Sequence, residues 1–212
     1  MKRPSCGGRF LFRMLCSILY IRFKYPQMSE YRTALIRVLP FLLITFVIFI
    51  MIKKKKVEPL DLNLNKPDST LRFLLWTISF LVFILLTEFI FYKLGMLEVD
   101  KWDHPFGSSV IRIAGAVFLA PVVEELIFRG FILNVLRKKL NMHPAVFIQA
   151  VFFVLLHNFT YENTLTSNIG IVQSLIDAAL YGYARYSTRS IYTPMAMHIT
   201  GNFIATAERF IF

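Results

Sequence analysis

The sequence predicts an all-α fold, a polytopic transmembrane helical bundle of about six spans with a candidate seventh near the N-terminus. Three observations predict it. Apolar residues make up 56% of the 212, 22 of them Phe, and they are gathered into long blocks. Mean hydropathy is +0.57. Basic residues cluster between the apolar blocks, and a few ionisable residues stand inside them. Hydrocarbon offers backbone groups no water, so helices must carry the spans. A net charge of +11 would suggest nucleic acid in a soluble protein. Its placement between apolar blocks is instead that of orientation signals and anionic-lipid contacts, so no nucleic-acid partner is expected.

The first block runs over residues 38–52 and stops at Lys53-Lys54-Lys55-Lys56, a stop-transfer flank. The second covers 73–91, with Glu88 near its end. The third covers 110–133 and contains Glu124-Glu125-Leu126-Ile127-Phe128-Arg129. The fourth, fifth and sixth cover 144–157, 169–183 and 191–212. Several are shorter than the ~20 residues of a perpendicular span, so they are expected to extend into their flanks or to be sheltered by neighbours. The expected organisation is a basic tail over 1–34, an N-terminal transmembrane hairpin over 35–108, and a membrane core carrying the chemistry over 109–212.

The loops alternate in charge. Lys53–Lys56, Lys66 and Arg72 lie between the first two blocks, Arg137–Lys139 follow the third, and Arg185 and Arg189 follow the fifth. The positive-inside rule places these loops in the cytoplasm and both ends of the six-block core outside. The tail, with Lys2, Arg3, Arg9, Arg13, Arg22, Lys24 and Arg32, disagrees. Its apolar stretch over 10–21 is short and interrupted by Arg13. A start at Met28 is the expectation that removes the conflict. Cys6 and Cys16 are too few to suggest a disulfide framework.

An ionised side chain inside hydrocarbon costs roughly 2.5–3.5 kcal/mol on insertion scales, so three within six residues mark a candidate site. On a helix Glu125 and Arg129 stand at i and i+4 and can pair, while Glu124 is turned about 100° away. Pro121, one turn earlier, removes a backbone donor and favours a kink. A purely structural ion pair leaves Glu124 unexplained.

Of four histidines, His104 and His143 each precede a proline and read as exposed loop residues. His157 ends the fourth block one turn after Phe153. His198 lies in the sixth with Asn202 at i+4, and Gly201 between them allows close helix approach. A glutamate and a histidine can together deprotonate water. A second histidine and an amide can donate to the oxyanion formed when water attacks a carbonyl. No Gly-x-Ser-x-Gly elbow and no His-Glu-x-x-His stretch is present. Zinc on His157, His198 and Glu124 is the alternative, since two His and a Glu form a catalytic set. Gln149, Gln173 and Asp177 read as helix–helix hydrogen bonding, Glu88 as structural, and Arg112 as snorkelling to the outer interface.

Glu124-Glu125-x-x-x-Arg129, Phe153-x-x-x-His157 and His198-x-x-x-Asn202, in this order on apolar segments, resemble the three motifs of the CPBP (Abi) intramembrane proteases. That family includes the type II CAAX prenyl endopeptidases and bacteriocin-processing and self-immunity proteins. The resemblance covers residues 110–206. It implies an intramembrane endopeptidase in which Glu124 and His157 activate water and His198 and Asn202 support the oxyanion. Glu125, Arg129 and Phe153 would organise the site, in a cavity opening mainly towards the cytoplasm. The family is often labelled metalloprotease, although the glutamate mechanism requires no metal. The implied setting is a bacterial plasma membrane, and the implied partner a membrane-associated peptide or protein. A non-catalytic immunity or scaffold protein that binds a peptide in the same cavity is the rival. A transporter is weaker, because its acidic groups would be spread along a path.

Overall fold

A computed structural model describes residues 29–54, 62–96, 99, 101–157 and 164–211, with His157 and Thr166 described in their backbone alone. The expectations for a start at Met28 and for a span over residues 10–21 lie outside the described residues. Six helical segments follow one another, and no strand occurs among the described residues. They are α1 (Glu30–Lys53), α2 (Thr70–Lys93), a composite α3 over residues 106–137, α4 (Met142–His157), α5 (Leu165–Thr188) and α6 (Tyr192–Ile211). Most outrun the apolar blocks that announced them because polar caps lie in the flanks. Ser29, Ser69 and Thr164 each accept a backbone N–H three residues on, satisfying a first-turn donor.

Helices α1 and α2, 24 residues each, are long and apolar enough to cross a membrane, with mean hydropathies of 2.8 and 2.3. At 1.5 Å per residue each extends about 36 Å. Their outer faces expose Phe46, Phe49, Leu86 and Phe89 by more than half, a surface that hydrocarbon covers and water does not. The interior is the reverse, holding Arg129, Glu125 and Gln149 with no exposure. Polar groups inside and apolar ones outside are the arrangement a bilayer demands.

Helix α3 is not a uniform α-helix. Phe106–Ile113 is followed by a π-helical stretch Ala114–Leu119, an α stretch Ala120–Glu125, a second π stretch Leu126–Ile132 and a last α turn Leu133–Arg137. Ala120 N–H donates to Gly115 and Leu133 N–H to Phe128, each five residues back. Pro121 has no N–H to give, and the wide turn before it takes up the break in the ladder. The expected distortion at Pro121 is therefore realised as π turns on both sides of the glutamates. Gly115 lies against Val38 of α1 so closely that a β-carbon there would overlap it.

The two ends of the bundle differ. At the end carrying the basic loops, residues 62–72 bind the α5–α6 turn. Asp68 N–H donates to Thr188 O and Ile191 N–H to Asn63 O. Arg185 donates to Asn63 at 3.0 Å and Asn134 at 2.6 Å. Leu62, Leu126, Ile191 and Met195 form an apolar plug just inside. At the opposite end, Trp102 N–H donates to Arg209 O, its indole N–H donates to Ser109 at 2.8 Å, and its ring stacks on Phe210.

Several sequence expectations change here. Arg112 does not snorkel. It is 6% exposed and pairs with Glu30 at 2.7 Å while donating to Ser108, because the N-terminus of α1 brings a carboxylate within reach. His104 is not a free loop residue, since its Nδ1 lies 3.1 Å from the same Glu30. His143 belongs to the first turn of α4 and meets the Tyr183 hydroxyl at 2.9 Å. Gln173 does bridge helices, donating to Glu88 of α2 at 3.4 Å. Gln149 does not: both its amide atoms are buried without a partner among the described residues, as is Asp177 Oδ1.

Candidate active site

The buried charges of α3 meet α5 and α6 in the centre of the bundle. Arg129 Nη1 donates to Glu125 Oε1 at 2.8 Å, and both side chains are fully buried. Its Nη2 donates to the Ala178 carbonyl at 3.0 Å. The guanidinium also lies 4.8 Å from the Phe153 ring centroid and 5.0 Å from that of Tyr181. A desolvated cation is thus held between aromatic faces and a carboxylate, while its Nε and Glu125 Oε2 are buried without a hydrogen-bond partner among the described residues.

Glu125 does more than neutralise Arg129. The same Oε1 lies 2.8 Å from His198 Nδ1. A carboxylate only accepts, so Nδ1 carries the proton and donates to it. This fixes the tautomer and turns the other ring nitrogen towards Glu124, whose Oε2 is 3.7 Å from Nε2. The expectation of a self-contained Glu125–Arg129 brace is thus widened to a three-residue chain, Arg129–Glu125–His198. Glu124, 100° around the helix, is left at the cavity wall with its side chain 16% exposed.

A cavity of about 680 Å³ extends from these groups, within the range of small-ligand and peptide sites. Glu124, His198, Asn202, Phe153 and Asp177 line it. Asn202 donates one amide hydrogen to Ala116 O at 2.8 Å, which anchors the side chain to the π stretch of α3 and leaves the second hydrogen of the amide. Phe153 packs edge-on against Phe128 and towards His198. The backbone of His157 ends α4, and its side chain lies outside the described residues. The structure therefore brings together Glu124, Glu125, Arg129, Phe153, His198 and Asn202.

The direction of the cavity sets two expectations against each other. Its other lining residues include Arg37, Glu88, Trp102, His104, Arg112 and Arg209, all at the helix ends remote from the basic loops. The apolar plug and the Arg185–Asn63–Asn134 network close the other end. The six helical segments among the described residues alternate in direction and fix the two faces relative to each other, so basic loops in the cytoplasm and a cavity opening to the cytoplasm exclude one another.

Among the described residues no three His, Cys, Asp or Glu side chains are grouped to hold a metal. Glu124 and His198 fit as two ligands, with Glu125 behind the imidazole as carboxylates often stand behind metal-bound histidine. The third ligand of the zinc alternative is His157.

The arrangement pairs a cavity-facing carboxylate with an oriented imidazole. Residues 106–204 match the family model described as type II CAAX prenyl endopeptidase Rce1-like. This Rce1-like segment is just under half of the chain, and agrees with the resemblance that the three motifs carry. The matched family is a protease family, so the likeness is to a peptidase. No curated protein and no solved structure matches the chain. All of the motif residues fall within the Rce1-like segment. Trp102, Arg37 and Glu88, which help to line the cavity, fall outside it. Sequence reasoning passed over Tyr181, which lines the cavity beside His198. A tyrosine in an apolar block carries no signal that separates it from a packing residue.

Proposed function

We propose that the chain is a membrane-embedded, multi-pass endopeptidase that hydrolyses a peptide bond of a membrane-associated peptide or protein by attack of water. The observation that carries this reading is Glu124 Oε2 at 3.7 Å from His198 Nε2, both facing one cavity, with His198 held through its other nitrogen by Glu125. Glu124 takes a proton from a water, and the hydroxide attacks the scissile carbonyl. The oxyanion is met by the free amide hydrogen of Asn202, and by His198 when Nε2 also carries a proton. Glu124 then returns its proton to the leaving amine, so that acid and amine products balance one water. His157 shares the activation of water in the family pattern. Zinc, when bound by Glu124, His198 and His157, would supply a Lewis acid for that water.

Cleavage in H₂¹⁸O tests the reaction class. The purified, reconstituted chain is incubated with membrane-associated peptides and the products are read by mass spectrometry. One ¹⁸O is expected in the new C-terminal carboxylate; absence of any cleavage product removes the reading in favour of the non-catalytic scaffold, which would bind peptide in the same cavity and leave it intact.

We assign the cavity mouth to the non-cytoplasmic face. The charge rule acts on insertion of this chain's own loops, and the end opposite the mouth carries Lys53, Lys54, Lys66, Arg72, Arg137–Lys139, Arg185 and Arg189. With Cys6 and Cys16 replaced by Ser, Lys101→Cys is expected to react with an impermeant thiol reagent on intact cells, and Asn141→Cys only after permeabilisation. The opposite pattern turns the bundle over and gives the cytoplasmic mouth.

A further inference from the structure

We propose that Tyr181 is a further catalytic residue, its ring fixing the His198 imidazole and its hydroxyl donating to the oxyanion beside Asn202. The inference rests on the endopeptidase reading above and adds a residue that lies outside the three motifs. The ring of Tyr181 stacks on that of His198 with centroids 5.0 Å apart and planes 24° apart. The Arg129 guanidinium lies over the same ring at 5.0 Å from its centroid, and Phe80 packs against it tilted by 58° with centroids 5.2 Å apart. The phenol therefore touches both the Arg129 guanidinium and the His198 imidazole, and an imidazole held flat against it is hindered from tilting away from Glu124.

The hydroxyl requires a separate reason. A phenylalanine would supply the same stacking. Tyr181 is 3% exposed, no described residue pairs with its hydroxyl, and that oxygen is not sealed off from the cavity the residue lines. The oxygen lies 3.5 Å from where a β-carbon on Gly201 would stand. Gly201 and Asn202 are three and four residues after His198, so all three share one face of α6. The hydroxyl is thus carried to the same face as His198 and Asn202, on the wall of the same cavity. Asn202 has already spent one hydrogen on Ala116, and neutral His198 has spent its one on Glu125. Tyr181 has spent none. A carbonyl oxygen that gains negative charge there meets a neutral, preorganised donor that no step of the reaction must first protonate.

The test compares Tyr181→Phe and Tyr181→Leu with the wild type in the reconstituted full chain, with Glu124→Gln as the zero. Tyr181→Phe is expected to lower kcat by about 10²-fold, the size seen for single oxyanion donors, at unchanged KM and unchanged melting temperature. Tyr181→Leu is expected to lower kcat further, since His198 also loses its stacking partner. A Tyr181→Phe protein with wild-type kcat overturns the role of the hydroxyl, as does a loss that appears only together with a lowered melting temperature. A wild type no faster than Glu124→Gln overturns the endopeptidase reading and this inference with it, so the two failures are told apart by the wild-type measurement.

Discussion

Glu124→Gln is expected to leave a folded, membrane-inserted protein in which peptide hydrolysis falls by about 10²–10⁴-fold, the contribution of a positioned general base. The structural cost is expected to be small. Glu124 faces the cavity rather than the Arg129 chain, and an amide of the same shape keeps the contact with His198. An amide cannot take a proton from water, and this is the property the substitution removes. The measurement is turnover of a membrane-associated peptide by matched preparations, with melting temperature as the control for folding. Equal turnover by both proteins would remove Glu124 from the reaction and, with it, the general-base mechanism.

Arg129→Met is expected to act on the fold before it acts on the chemistry. It leaves Glu125 ionised at a fully buried position with the guanidinium gone and only His198 beside it, and leaves the Ala178 carbonyl without its side-chain donor. Removing one member of a buried pair costs about 3–5 kcal/mol, or a melting temperature lower by about 10 °C for a chain of this size. The double variant Glu125→Gln, Arg129→Met is expected to be more stable than Arg129→Met alone, because no uncompensated charge remains. A double variant no more stable than the single one would show that the guanidinium acts through its aromatic neighbours and not through Glu125. The double variant should also lose activity, since His198 is oriented by Glu125 and needs the carboxylate to fix its tautomer.

The helical class, the position of six helical segments and the partition of the glutamates could all be read along the chain. Block lengths, Lys53–Lys56 and the 100° offset between Glu124 and Glu125 are local properties, set by hydropathy and helix geometry. The pairing of Glu125 with Arg129 was legible for the same reason, being i and i+4 on one helix. What Glu125 does for His198 was not, because the two residues are 73 positions apart and their meeting depends on how α6 packs against α3. Arg112 was misread on similar grounds: its carboxylate partner, Glu30, comes from another helix. Gln149 was misread in the opposite sense, since a buried amide was expected to find a partner and packing against Gly182 gives it none among the described residues.

By itself the sequence determined that charge is placed where hydrocarbon would exclude it, and that only Glu125 of the two adjacent glutamates stands one turn before Arg129. Periodicity and hydropathy are sufficient for both. Only the tertiary structure decided which groups share the cavity, that Tyr181 joins His198, and that the mouth lies opposite the basic loops. Those facts depend on contacts between helices and on which end of the bundle the apolar plug closes. No single helix carries that information, because a cavity is the space several helices leave between them.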